Sequence, residues 1–565
     1  MLQYSMHLNL ISLLLVLSSC NTMHSNNKKA ALPNILIIVA DDLGYTDLGC
    51  FGSEISTPNI DKLAEVGVIN TSFYTSPTCA PTRAMLLTGV DNHRNGLGTM
   101  GRAADNQKGA PGYEGYLNFD VATLPEILFE NGYHTSMAGK WHLSRPSLDT
   151  TKWPGNRGFQ RYFSLIQAGA GHFSDKQPLF SNWKTTYVED GQIIDTLPIN
   201  FYSSNYYTDK IIEYIDESTN QRKPFFSYVA FTAPHWPLHV PDQYINKYNG
   251  FYDDGYEVLA KNRLQSAKNL NIIDDKVRLS PLTPNIIPWG DLTVSEKEIS
   301  ARTMEVYAAM VHLMDYNIGR IVDHLKTIGQ YDNTLIIFMS DNGAEGNSIL
   351  GIGDTREWIA NNNNNNIDNI GRKNSYLSTG PAWAQVSSLP FSWYKSFSTE
   401  GGVRSPSVIS YPKWKHNFKT INNNVITVMD FTPTILDLVN VEIPNSFFNG
   451  RKIHPIDGKS LLPYLQGIDN LTHSNEQAHC WELYGRLGVR KGKWKAEKYD
   501  KPYGTGNWEL YNLYEDPGEL TNLSEDYPII LEDMINDWDI YAQEYSVILP
   551  EEKVTYGTDE IWRIN

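Results

Sequence analysis

Residues 34–40 (NILIIVA) and 333–339 (NTLIIFM) are almost continuously apolar and rich in β-branched side chains. A strand without polar alternation is buried on both faces, so the two runs predict central strands of a mainly parallel sheet. Residues 133–138, 224–231 and 407–411 read as further strands. Between them the apolar period lengthens to that of a helix. Residues 123–132 make a short amphipathic segment stopped by Gly132, and 207–216 and 429–438 are read as helices too. Residues 296–328 carry Met304, Tyr307, Val311, Ile318 and Leu325 on one stripe. Such alternation predicts an α/β fold, a mixed, mostly parallel sheet sandwiched by helices.

From about Gly450 the pattern shortens. Residues 457–463, 488–495 and 508–517 read as antiparallel strands and turns, and 523–541 as a terminal helix. The expected organisation is a main domain over 33–450 and a smaller C-terminal antiparallel subdomain over 451–565. Two stretches show little period: 251–290, and an insertion over 343–390 containing the run from Asn361 to Asn366. Both are expected to be excursions at a rim, the Asn run a low-complexity loop tip.

The chain has 565 residues and a net charge of −17, which argues against a nucleic-acid partner. An anionic ligand would then need local positive charge. The 33 Tyr and 14 Trp suit a carbohydrate or aryl surface, although aromatics equally fill cores. The cysteines, Cys20, Cys50, Cys79 and Cys480, are too few for a disulfide framework. Residues 8–17 form an apolar run too short to span a bilayer, and read as a signal-peptide core. It ends in Leu17-Ser18-Ser19-Cys20, which resembles a bacterial lipobox. Residues 1–19 are therefore expected to be removed, Cys20 to be lipidated, and 20–32 to form a polar tether. The body would lie in the periplasm or at the cell surface, anchored to the outer membrane. No later segment is apolar and long enough for a membrane helix.

Candidate chemistry sits where the strands end. Asp41-Asp42 follow the first apolar run, and Asp341-Asn342 follow the other after Ser340. Open α/β sheets bind ligands at the carboxyl ends of their strands. Adjacent acids repel each other and a cation relieves that, although an Asp pair can equally cap a turn. Asp41, Asp42, Asp341 and Asn342 together make an all-oxygen set, better suited to calcium than to a transition metal, with magnesium the less favoured choice. Cys79 stands just before Pro81 at the start of a predicted helix, with Arg83 one turn further in. That position favours negative charge on the thiol, whereas an isolated cysteine is otherwise a buried structural residue. Gly139-Lys140-Trp141-His142 leaves the strand at 133–138, and alternation would send Lys140 and His142 to one side. Alone, such a pair is equally a solvated lysine and a core histidine.

Cys79-x-Pro81-Thr82-Arg83 with Leu87-Thr88-Gly89 resembles the signature of formylglycine-dependent, type I sulfatases. Asp41-Asp42-Leu43-Gly44 with Thr57-Pro58-Asn59-Ile60-Asp61, and Gly139-Lys140-Trp141-His142, resemble further parts of that family, as does the loop histidine His235. Thr82 stands where the family more often has Ser. The spacing from Lys395 to Glu400-Gly401-Gly402 is most like bacterial arylsulfatases. The resemblance covers residues 33–539 in family order. It implies an alkaline-phosphatase-like fold with a small C-terminal sheet. It implies that a maturation enzyme converts Cys79 to formylglycine, whose hydrated aldehyde attacks sulfur and shares one calcium ion with Asp41, Asp42, Asp341 and Asn342. Arg83 and Lys140 would hold the hydrate; Lys395 and His235 would bind sulfate and protonate the leaving alcohol. His142 would take the hydroxyl proton whose loss expels sulfate. His239 has no counterpart and is expected to be structural. The implied substrates are aryl sulfates or sulfated oligosaccharides from polysaccharide breakdown. The alternative is a phosphonate or phosphate ester hydrolase of the same superfamily.

Overall fold

The computed structural model describes residues 32–554 except 102, 146–147, 285, 349, 351–352, 415–420 and 553. The expected signal peptide, Cys20 and the tether up to residue 31 lie outside them. The main sheet holds β1 (Asn34–Ala40), β2 (Val68–Tyr74), β3 (His134–Lys140), β4 (Arg161–Leu165), β5 (Tyr187–Glu189), β6 (Gln192–Ile194), β7 (Phe225–Ala230), β8 (Thr334–Ser340), β9 (Arg404–Ser410), β10 (Ile421–Asn422) and β11 (Ile426–Thr427). Their order is β10-β2-β9-β8-β1-β7-β3-β4-β5-β6, with β11 also on β2. The centre, β8-β1-β7-β3-β4, is parallel. β9 runs antiparallel to both β8 and β2.

β1 is central because each side chain from Ile35 to Ala40 finds apolar partners. Leu36, Ile38 and Ala40 enter one core, and Ile35, Ile37 and Val39 enter the other. The helices are α1 (Pro58–Glu65), α2 (Cys79–Thr88), α3 (Leu124–Glu130), α4 (Ser203–Asn220), α5 (Tyr256–Asn269), α6 (Val294–Thr327), α7 (Thr355–Asn362), α8 (Gly380–Ser387), α9 (Glu400–Val403), α10 (Phe431–Leu438), α11 (Leu462–Leu465) and α12 (Pro528–Glu544). α4 and α6 cover the first core, with the stripe from Met304 to Leu325 wholly inside it. α2, α3 and α10 cover the second. α6 opens on a capping box between Thr293 and Glu296, as its sequence allows.

Two expectations need correction. Residues 251–290, expected as a rim excursion of little period, contain a helix, α5. Its inward anchor is Arg263, whose guanidinium bonds Glu54 at 2.7 and 2.8 Å and Asp47 at 2.5 Å. A helix fastened by a buried charge has a weak apolar period. The Asn run is no loose tip either. Asn361 and Asn362 close α7, and Asn365 exchanges hydrogen bonds with the Tyr376 backbone.

A short hairpin, β12 (Phe447–Phe448) with β13 (Arg451–Lys452), precedes the second sheet. That sheet is antiparallel, in the order β14 (Ala478–Leu483), β15 (Arg486–Lys491), β16 (Trp494–Lys498), β17 (Trp508–Asn512). Met534 and Trp538 of α12 pack on Leu487, Val489, Ala496 and Leu510. The opposite face of β15 carries Arg486, Gly488 and Arg490. A Cβ on Gly488 would lie 2.9 Å from Cβ of Ser398, so this face rests directly on the segment that follows Lys395. Pro33–Asn565 forms one unit containing both sheets.

His93 ties the second sheet to the first. Its Nδ1 lies 3.1 Å from Asp91 and 3.0 Å from the Tyr541 hydroxyl, and its Nε2 lies 3.3 Å from Glu482. These partners outweigh burial and raise its pKa to about 9. A folded pKa above the unfolded value of about 6.5 stabilises fully below that value and is lost as pH rises through about 9. The His93→Gln protein is therefore expected to melt lower than wild type at pH 6, by an amount on the order of 3 kcal/mol, with the gap narrowing towards pH 9. Melting curves across that range test it; a gap independent of pH would show that the charge of His93 plays no part.

Candidate active site

The carboxyl ends of β1, β3, β7 and β8 converge with the start of α2. Asp41 and Asp42 leave β1, and Asp42 adopts φ 66°. Its N–H donates to Asp341 Oδ1 at 3.2 Å, and the Asp341 N–H donates to the Ala40 carbonyl. Asn342 donates from Nδ2 to Asp42 Oδ1 at 2.7 Å, while its Oδ1 is buried and has no hydrogen-bond partner. Gly343 is required here, since a Cβ would lie 1.9 Å from the Gly401 carbonyl oxygen.

Three buried cations answer these acids. Arg83 donates from Nε and Nη2 to Asp341 Oδ2 at 2.9 and 2.7 Å. Lys140 reaches both Asp41 oxygens at 2.8 Å. Lys395 lies 2.9 Å from Asp42 and 2.9 Å from Glu345. Burial, reinforced by Asp341 and Asp42, pushes Asp41 up to about 7 against Lys140 and Arg83. Against burial, Lys395 and His235 hold Asp42 down at about 2.

Cys79 is the first residue of α2 and 1% exposed, with its Sγ 3.8 Å from the Met100 sulfur. A ligand atom each from Asp41, Cys79 and Asp341 lie within 4.8 Å of one another. The expected preference for a negative thiol does not hold. Burial pushes Cys79 up to about 11, and Lys140 and Lys395 only partly oppose it. Desolvation of a thiolate outweighs one helix end. Thr82 fits the family's Ser position locally, its hydroxyl donating to the Ser76 carbonyl at 3.1 Å.

His142 does not continue the alternation of β3, because the strand ends at Lys140 and His142 has φ 57°. Its Nδ1 is buried without a partner, and burial with Lys140 and Arg83 nearby drives its pKa well below the usual value. His235 places Nε2 3.5 Å from Asp42 and is likewise held neutral by burial. His239 stands apart, its Nε2 2.9 Å from the Ser375 carbonyl, a structural position.

The sequence reading missed three contributors. Glu345, just beyond Asp341-Asn342-Gly343-Ala344, pairs with Lys395. His172 supports the His235 loop, its Nε2 3.1 Å from the His235 carbonyl and its Nδ1 2.7 Å from Ser203 Oγ. Arg486 reaches across from the second sheet, donating to the Ser396 carbonyl at 2.6 Å and lying 3.9 Å over the Phe397 ring. Ser396 has φ 76° and also donates its N–H to the Pro77 carbonyl at 2.8 Å, beside the Cys79 loop. Of these, Glu345 alone stood next to a recognisable motif.

The family model described as Sulfatase matches residues 33–441, more than half of the chain. The chain belongs to the sulfatase family. A second model, N-sulphoglucosamine sulphohydrolase, C-terminal, matches residues 391–536 of this sulfatase. It is 45% identical to an uncharacterized sulfatase of Schizosaccharomyces pombe over 91% of its own length and 94% of the relative's. It is 38% identical to an arylsulfatase of Klebsiella aerogenes over 76% of its length and 91% of that protein. In fold it is similar to Ps i-CgsB, crystallised with k-i-k-neocarrahexaose, at a TM-score of 0.64 and 24% identity, covering 92% of this chain and 94% of that one. The alkaline-phosphatase-like architecture expected from sequence is thus the observed one, and the protein is an enzyme that hydrolyses sulfate esters.

Arg486 positions the sulfatase's Lys395 turn without lining the acid cluster. Replacing it with Met removes a charge-assisted hydrogen bond, a loss of about 1.5–3 kcal/mol. Arg486→Met is expected to lower kcat/KM about tenfold or more, mainly through KM, with partial rescue in Arg486→Lys. Steady-state kinetics beside melting curves test this; a loss only of stability would make Arg486 purely structural.

Proposed function

We propose that this sulfatase works through a formylglycine made from Cys79 and a single calcium ion. The observation that carries the reading is a buried thiol, pushed up to about 11, set among hard oxygen donors and three cations. A neutral thiol is a poor nucleophile, and these neighbours suit an oxygen one. Oxidised by a maturation enzyme, residue 79 would supply a hydrated aldehyde as that nucleophile.

The donor set fits a hard divalent ion. Asp41, Asp42 and Asp341 offer carboxylate oxygens, and the unpartnered Asn342 Oδ1 is a fourth oxygen. Asp41, which burial would leave protonated near neutrality, gains most from a cation. Calcium suits this all-oxygen set and magnesium is the less favoured ion. When bound, the ion would neutralise sulfate charge and orient the nucleophile.

The remaining roles fall to side chains in place. Arg83 and Lys140 hold the nucleophile end. Lys395 binds the sulfate and, with His235, protonates the departing alcohol. The Nδ1 of His235 faces the Trp236 carbonyl, so it must carry a proton there, and Nε2 becomes a donor only in the imidazolium. An arriving sulfate anion favours that form. His142, neutral and with Nδ1 unpartnered, takes the hydroxyl proton that releases sulfate.

The natural substrate in this reading is a sulfated oligosaccharide, with aryl sulfates as surrogates. The hexaose in Ps i-CgsB supports it. Residues 33–450 would form the catalytic domain and 451–565 the subdomain that braces Lys395. The lipobox-like end would place the enzyme outside the cytoplasm, lipid-anchored at Cys20. No helix among the described residues is long and apolar enough to cross a membrane. Turnover of an aryl sulfate, an aryl phosphate, an aryl phosphonate and a panel of sulfated oligosaccharides by one preparation tests the assignment. Sulfate release from at least one glycan is expected. A preference for phosphate or phosphonate would favour the other chemistry of the superfamily, and activity on aryl sulfates alone would reject the glycan.

A further inference from the structure

Arg490, on the same face of β15 as Arg486, is 4% exposed and makes no ion pair with a carboxylate among the described residues. Its Nε donates to the Gly492 carbonyl and its Nη1 to the Tyr74 hydroxyl, which in turn donates to Glu400 at 2.6 Å. Its Nη2 has no acceptor among the described residues. Arg490 lines a cleft of about 620 Å³ between the second sheet, residues 71–72 of β2 and residues 271–277. That volume is within the range of small-ligand sites. The cleft shares no residue with the Cys79 site.

A second guanidinium stands in the same wall. Arg404 bonds the Thr71 carbonyl at 2.6 Å and Glu400 at 3.2 Å through Nε and Nη1, and its guanidinium lies 4.7 Å over the Phe391 ring, so its charge is largely spent within the protein. Lys276, also lining the cleft, is spent on Glu515 at 2.8 Å. Asp274 and Asp275 stand on the rim with Glu515. The floor therefore attracts one anionic group while the rim repels a second. Asn271, Asn423 and the 55% exposed Tyr514 supply amide and aromatic surface around it. Amides and carboxylates bind hydroxyls, and aromatic rings take the C–H face of a sugar. A densely charged polymer such as nucleic acid does not fit this balance.

We propose that this cleft is a second, non-catalytic binding site for a saccharide bearing one oxyanion, docked on the free Nη2 edge of Arg490. Such a site would hold the glycan chain away from the reacting ester. Inorganic sulfate shares the anion chemistry but lacks the ring contacts.

The test uses the full chain as Cys79→Ala, so that nothing turns over. Calorimetry with a monosulfated galactose disaccharide, the unsulfated disaccharide and inorganic sulfate gives stoichiometry. Two equivalents of the sulfated sugar are expected, with hydrogen-exchange protection at residues 271–277 and 421–425. Adding Arg490→Lys should weaken the second site about tenfold, because a lysine cannot present the planar edge. Asn423→Trp, an exposed rim change that leaves Arg490's bonds intact, should block it. Neither change, made in the Cys79 enzyme, should alter turnover of a small aryl sulfate. One equivalent, with no protection at those segments, overturns the proposal. Equal binding of inorganic sulfate and the sugar overturns its saccharide part. Because binding is located by protection and not by turnover, the result stands whether or not the formylglycine reading does.

Discussion

Cys79→Ala is expected to lose turnover by roughly ten-thousandfold or more while remaining folded. The residue starts α2 and touches Met100, so removing its sulfur costs about 1 kcal/mol of stability. No neighbour replaces it as a nucleophile: the adjoining groups are carboxylates already engaged by Arg83, Lys140 and Lys395. The intact mass of active protein should show a thiol-to-aldehyde change at residue 79. Cys79→Ser, in a host whose maturation system requires cysteine, supplies the sharper test. Its hydroxyl can attack sulfur but carries no second hydroxyl for His142 to deprotonate. It should therefore give one equivalent of alcohol, accumulate as a sulfated protein detectable by mass, and stop. Full turnover by an unmodified thiol, or by Cys79→Ala, would overturn the mechanism.

Much of this site was legible because its parts sit at strand ends in short motifs. β1 and β8 announce themselves by unbroken apolar runs, and the acids follow directly. What the chain does not display locally is charge partnership across the fold. Glu345 and Arg486 act on Lys395 and its turn from 50 residues before and 91 after. No window on the sequence contains both ends. α5 was missed for a related reason: the residue that fastens it inward, Arg263, is one that usually marks an outward face. His142 shows the limit of alternation, since a residue at φ 57° has left the strand whose period would have aimed it. The thiol's pKa was misread because helix position is a local property and desolvation is a property of the folded core.

Under the proposed function, calcium dependence is the other large effect expected, and the charges in the site give its reason. Asp41, Asp42, Asp341 and Glu345 face Arg83, Lys140 and Lys395, four formal negatives against three positives. A divalent cation with a singly charged sulfate ester brings the set to neutrality. Asn342 and Asp341 should then respond differently to removal. Asn342→Ala deletes an oxygen with no protein partner and the Nδ2 hydrogen bonds to Asp42 and the Gly343 carbonyl, a cost of about 1–3 kcal/mol in metal-free protein. Its calcium affinity should fall at least 10–100-fold, the loss typical even of residues that only orient metal ligands. Asp341→Ala strips Arg83 of its bidentate partner and leaves a buried cation, destabilising by about 3–5 kcal/mol with or without metal. Melting temperature measured with and without calcium separates the two. Wild type should gain stability from the ion in proportion to its affinity, Asn342→Ala should gain little, and Asp341→Ala should start low and stay low. Calcium must also displace the proton from Asp41, so affinity should weaken as pH falls below about 7. An unchanged calcium shift in Asn342→Ala, or activity surviving chelation verified by metal analysis, would remove the ion from this site.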